Sequence, residues 1–223
     1  MTPRRLVVLK MLVFGACLVP LVLLVVKATG ITSLTLGPNP QEEILNTCGK
    51  TALNLLMLTL CVTPIRRATG FNRLVSFRRM LGLFAFFYVV VHFLSYLFLD
   101  LGLAWNTLLA DIAKRPFITV GFTALLLLVP LAVTSTNGFQ RRLGRKWVKL
   151  HRLVYAIAVL ALIHYWWQIK SKSDIGDPLL YAILLSVLLG VRFAHWRSVQ
   201  RKRTASVDSK AAVTSTYQRV EPP

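Results

Sequence analysis

Six long apolar runs, separated by short polar connections, divide the chain almost from end to end. They cover residues 11–26, 44–65, 80–99, 117–133, 151–167 and 178–196. An α-helix needs about 20 mostly apolar residues to cross a bilayer. The second run reaches that length only if it starts near Ile44 rather than Thr51. The pattern therefore predicts an all-α, polytopic membrane helix bundle of six transmembrane helices occupying residues 1–197. The polar, basic stretch 198–223 is expected to be a disordered tail.

The charges then give the bundle a direction. Residues 1–10 carry three positive charges, RRATGFNRLVSFRR carries five arginines and no acid, and TSTNGFQRRLGRKWVK carries five more basic residues. The intervening connections are neutral: Lys27 and Lys50 balance Glu42 and Glu43, Asp100 and Asp111 balance Lys114 and Arg115, and Lys170 and Lys172 balance Asp174 and Asp177. Basic loops stay on the cytoplasmic side, so both termini are expected in the cytoplasm. The first run is too long for a signal peptide and no A-x-A site follows it. It reads as an uncleaved span, with Pro20 tolerated where neighbours cover the freed carbonyl.

Composition agrees: 55% of residues are hydrophobic and the mean hydropathy is +0.60. The formal charge of +19 falls in alternate loops, which argues for topology in a lipid bilayer and against nucleic acid. Cys17, Cys48 and Cys61 form neither a CxxC pair nor a CxxCH attachment motif; those within spans read as small buried residues. No GxGxxG or P-loop is present, so a nucleotide-binding domain is not expected.

Candidate chemistry lies in the histidines, because an ionisable residue inside a span is costly and marks function. Rising ~1.5 Å per residue, His92 lies about 18 Å along the third span from residue 80, and His164 about 19.5 Å beyond His151 on the fifth. The two sit at one depth on different helices, as two axial ligands of a heme must, and no thioether link to the chain is expected. Iron takes the neutral ring, and an apolar surround favours that form. The competing reading is a polar pair gluing two helices.

His151 lies near the basic end and about 140° around an ideal helix from His164. No histidine of the third span matches its level, but Arg78 does, within ~40° of the His92 face. A second, inner heme would use His151, with Arg78 near its iron or propionates; plain basic-loop topology also accounts for Arg78. Arg152 can hold a propionate or a quinone headgroup, or snorkel to the surface. His195, beside Phe193 and Trp196, reads as interfacial. Tyr96, Tyr165, Trp166 and Trp167 either wall a macrocycle or belong to the aromatic belt.

RRLGRKWVKLHRLVYAIAVLALIHYWWQIK, together with RRMLGLFAFFYVVVH, resembles the MsrQ (YedZ) family, heme-binding membrane subunits of a bacterial methionine sulfoxide reductase system. The wider relatives are the ferric-reductase-like transmembrane domains. The resemblance covers the chain to about Arg197. It implies a cytochrome of the bacterial inner membrane with heme b, one or two per chain. Electrons would come from quinol and go to a periplasmic molybdopterin-containing methionine sulfoxide reductase, where the sulfoxide chemistry resides. FMN is a further cofactor the resemblance implies, although no flavin motif is present. By position His92, His151 and His164 match the family's heme-linked histidines. The chain departs from the superfamily's two histidine pairs in having only His92 on the third span.

Two other classes compete with an electron-transfer protein. A proton-coupled transporter should show carboxylates within its spans and paired broken helices, whereas the acids here lie in loops and tail. A structural assembly factor leaves the matched histidine depths unexplained.

Overall fold

The computed structural model describes residues 3–30, 34–169 and 175–220. Among them, six helices are long and apolar enough to cross a membrane, at Arg4–Thr29, Pro40–Thr69, Asn72–Asp100, Pro116–Val133, Arg145–Gln168 and Gly176–Arg201. The six expected runs are thus the six observed spans, extended at their ends by polar residues that hydropathy alone leaves out. The connection 170–174 lies outside the described residues.

Helix α1 is Pro3–Thr29 and α2 is Pro40–Thr69. The start of α2 is dictated locally. The Asn39 side chain accepts from the Glu42 N–H, Pro40 stands where no N–H is needed, and Glu42 and Glu43 occupy the first turn. Its end is set by Gly70 at φ 70°, whose N–H returns to the Arg66 carbonyl. A 3₁₀ turn, Asn72–Leu74, leads into α3, Val75–Ser95, which ends in the π-helical turn Tyr96–Asp100. Gly102 and Leu103, both at positive φ, then reverse the chain into α4, Trp105–Lys114.

Helix α5 is Pro116–Val133, the short α6 is Asn137–Leu143 and α7 is Arg145–Leu150. The Thr136 side chain caps α6 by accepting from the Phe139 N–H. Helix α8 is Leu153–Gln168 and α9 is Gly176–Val220.

Three features depart from expectation. The connection after the third span contains α4, an amphipathic helix of ten residues that is too short and too charged to register as a span. The fifth span is interrupted at His151 and Arg152, where α7 ends and α8 begins. Residues 198–220, expected to be disordered, continue α9; they contain no Gly or Pro and many good helix formers. The chain divides into two compact units, Met1–Leu185 and Ser186–Pro223. Within the second, Phe193 and Trp196 stack at 6.0 Å and the Arg197 guanidinium sits 5.1 Å over the Phe193 ring.

In the first unit the most extensive packing joins α2 to α3 and α5 to α8. Cys48, Leu60, Tyr88, Ile157 and Ala158 are buried there. Helix α1 is peripheral. Among its described residues it buries only Cys17 and Leu24, and it is tied to α3 by the Tyr88 hydroxyl, which donates to the Cys17 carbonyl at 2.7 Å and accepts from the Leu21 N–H at 3.2 Å. The exposed Val, Leu and Phe side chains of α1, such as Leu12 and Val22, form an apolar face suited to lipid.

A histidine pair in the candidate functional site

Between α2, α3, α5 and α8 lies a cavity of about 520 Å³ whose lining includes both His92 and His164. That volume is within the range of about 300–1,000 Å³ usual for cofactor and ligand sites. Its deep wall is apolar, with Leu56, Ala85, Leu128 and Ile157 among the contributors. Towards the end of the bundle that carries the neutral connections, Asn46, Lys50, Tyr96, Arg115, Tyr165 and Gln168 line its mouth.

The two imidazole rings lie edge-on to one another, with centres 6.2 Å apart and planes at 82°. Two imidazoles on opposite sides of one metal, each bonded at about 2 Å, have their ring centres about 6 Å apart. His92 Nδ1 lies 3.0 Å from the Leu45 carbonyl, and His164 Nδ1 lies 2.7 Å from the Phe117 carbonyl. A carbonyl only accepts, so Nδ1 carries the proton in both rings. In the neutral ring Nε2 is then the lone-pair nitrogen, which is the arrangement that outer hydrogen bonds impose on metal-binding histidines.

Backbone access makes these contacts possible. A Cβ on Gly121 would stand 2.7 Å from His164 Nδ1, and one on Gly49 would stand 3.2 Å from His92 Nδ1. The histidines and glycines belong to a repeated spacing: Leu45, Gly49 and His92 are each 72 residues before Phe117, Gly121 and His164. Around the glycines, TCGKTALNLL in α2 matches TVGFTALLLL in α5 at the same offset. The glycines escape a reading by hydropathy, and the offset is the signal that finds them.

The other expected site residues do not join this cavity. His151 stacks on Trp147, one turn earlier, at 3.8 Å, and its Nδ1 bonds the Trp147 carbonyl at 3.1 Å. Its Nε2 is buried and meets no acceptor or donor at full hydrogen-bond geometry among the described residues, although the Leu131 carbonyl of α5 is near enough to act on the ring. Arg78 is within electrostatic range of His151. Arg152 is exposed at the start of α8, and His195 is exposed on α9. Of the aromatics, Tyr96, Tyr165 and Trp167 line the cavity. Trp166 is exposed outside it. The Tyr96 hydroxyl donates to Asp111 of α4 at 2.5 Å, and Asp111 in turn pairs with Arg115 at 3.4 Å.

Residues 48–162 match the family described as the ferric reductase like transmembrane component. The chain is 53% identical over 171 residues to a protein of Xanthomonas campestris pv. campestris (strain 8004), covering 77% of each. That protein bears the name protein-methionine-sulfoxide reductase heme-binding subunit MsrQ. The chain belongs to the MsrQ family. Other MsrQ proteins extend the likeness to more of the chain. The one from Xanthomonas oryzae pv. oryzae (strain MAFF 311018) is 48% identical, covering 91% of this chain and 93% of its own length. The one from Ralstonia nicotianae is 48% identical, covering 89% and 91%. No solved structure matches. The matched segment of the ferric-reductase-like family starts at Cys48, just before Gly49, and stops at Leu162, just short of His164. It therefore holds most of the four helices that wall the cavity.

Proposed function

We propose that this chain is a b-type cytochrome subunit of the bacterial inner membrane. It takes electrons from quinol and delivers them to a periplasmic, molybdopterin-containing methionine sulfoxide reductase. The observation that carries this reading is the pair His92 and His164, with ring centres 6.2 Å apart and each ring held in the Nε2-accepting tautomer by a backbone carbonyl. Heme, when bound, supplies one-electron iron chemistry at membrane depth.

The chain's own residues do the rest. His92 and His164 would hold the iron, and their carbonyl partners fix the ring planes and raise ligand basicity. Leu56, Leu128 and Ile157 exclude water from the deep end and lower the local dielectric, which are the protein's remaining levers on an iron potential. Lys50 and Arg115 stand at the mouth paired with Asp177 at 2.9 Å and Asp111 at 3.4 Å, and carboxylate side groups of a porphyrin would have to share or replace those partners. Basic loops keep the opposite end in the cytoplasm, so the mouth opens towards the periplasm and a partner there. With short connections between its spans, the chain leaves sulfoxide chemistry to that partner.

A second, inner heme would use His151, whose Nε2 is buried, with Arg78 within electrostatic range. The transporter alternative finds little support, since Glu42, Glu43, Asp100 and Asp177 sit at span ends rather than within them. An absorption spectrum of the purified full chain tests the proposal. A Soret band that shifts on reduction by a quinol analogue, and reoxidises when the sulfoxide reductase and its substrate are added, is the expected result. A colourless protein expressed with ample heme would end the reading.

A further inference from the structure

We propose that Gly49 and Gly121 are the positioning residues of the histidine pair. Each bares one helical carbonyl so that an imidazole can bond it from the side. This rests on the reading of His92 and His164 as heme ligands and extends it to the surfaces opposite them. In both cases the carbonyl that the ring bonds, Leu45 or Phe117, is four residues before the glycine. A helical carbonyl at that position already accepts the N–H of the glycine itself, and its second lone pair is free for another donor.

Side chains on a helix lean towards its N-terminus and cover the turn before their own Cα. A Cβ at the glycine would therefore stand over the carbonyl that the imidazole uses. The distances agree. At Gly121 an added Cβ would meet Nδ1 and Cε1 of His164 at 2.7 and 2.8 Å, closer than a Cβ comes to another heavy atom without displacement, and Cγ at 3.1 Å. At Gly49 it would meet Cε1 and Nδ1 of His92 at 3.2 Å each, so that ring need give only slightly. By contrast, Gly82 on α3 would place a Cβ 3.8 Å from Thr59 Cγ2, an ordinary contact. One device is thus used twice, with a constant 72-residue offset, once for each ligand.

The test compares Gly121→Ala, Gly49→Ala and Gly82→Ala in the full chain, purified with heme. Two readouts apply: the low-spin EPR signal of the ferric protein, and binding of carbon monoxide by the reduced protein. A tightly held imidazole pair blocks carbon monoxide, whereas a displaced imidazole opens an iron position. Gly121→Ala should raise the carbon-monoxide-reactive fraction by at least about tenfold, in keeping with the cost of overpacking. Gly49→Ala should raise it less, and Gly82→Ala should match the parent protein in both readouts. If Gly121→Ala does not accumulate, Gly49→Ala decides. Parent-like spectra and inertness to carbon monoxide in whichever glycine variants accumulate would overturn the inference while leaving the heme reading intact. A parent protein without low-spin heme would instead overturn the heme reading itself.

Discussion

His164 and His151 leave the same span, yet they meet different surroundings. His164 lies edge-on to a second imidazole in a cavity, and its Nδ1 reaches the carbonyl of another helix. His151 turns back on its own chain, stacking on Trp147 and bonding that residue's carbonyl. The offset that carries His164 onto His92 carries His151 onto Arg79. Arg79 is exposed on α3 and donates to Asn137 at 2.6 Å. The two helix pairs thus present matched histidines at one level, while at the other the counterpart of His151 is an exposed arginine bonded to Asn137. Matching, more than the presence of a buried histidine, is what the proposed two-ligand site has and the inner level lacks.

The largest expected effect comes from breaking the matched level. His92→Ala or His164→Ala should each abolish the low-spin heme spectrum of that site, because a lone imidazole leaves the iron with an open axial position. Heme-to-protein stoichiometry and the ferric EPR signal check this. Retention of the full pigment after both substitutions would show that the paired rings hold nothing.

Next in size is His151→Ala. If the inner level binds heme, this change should remove that heme and leave the outer spectrum intact. An unchanged heme content refutes the inner site. Arg79→His then sharpens the comparison from the other side, by placing an imidazole where the repeat puts the counterpart of His151. The expected outcome is a gain in low-spin signal at the inner level with no change at the outer one. No gain would mean that the break between α7 and α8 keeps His151 turned away whatever stands opposite.

The comparison also explains what the sequence could and could not reveal. The six spans were legible because long apolar runs have few other fates in a chain of this composition. The shared depth of His92 and His164 followed from helical rise alone, since both spans are continuous over most of the distance. The same arithmetic set His151 on a different face from His164, and His151 does not line the cavity; what an ideal helix could not show is that α7 stops and α8 starts at that point. Helix α4 stayed hidden for a different reason. Its ten residues carry Asp111 and Lys114, and its stability comes from the contacts of Leu108 and Asp111 with the bundle, which no local pattern announces. Gly49 and Gly121 were missed because hydropathy treats a glycine within a span as neutral filler.

Tyr88→Phe should produce the smallest effect, and it separates the site from its scaffold. Tyr88 is fully buried on α3, on the stretch between the two levels, yet its hydroxyl serves α1 rather than either histidine. Removing it deletes one bonded bridge between helices. Such bridges contribute on average about 0.6 kcal/mol in membrane proteins, and the Leu21 N–H and Cys17 carbonyl can still satisfy each other along α1, being four residues apart. Unfolding in a mixed-detergent titration should therefore shift only slightly towards lower denaturant, while the Soret band and the EPR signal stay as in the parent. A changed heme spectrum would mean that α1 reaches the matched level through Tyr88, and that the four helices around the cavity do not set the ligand geometry on their own.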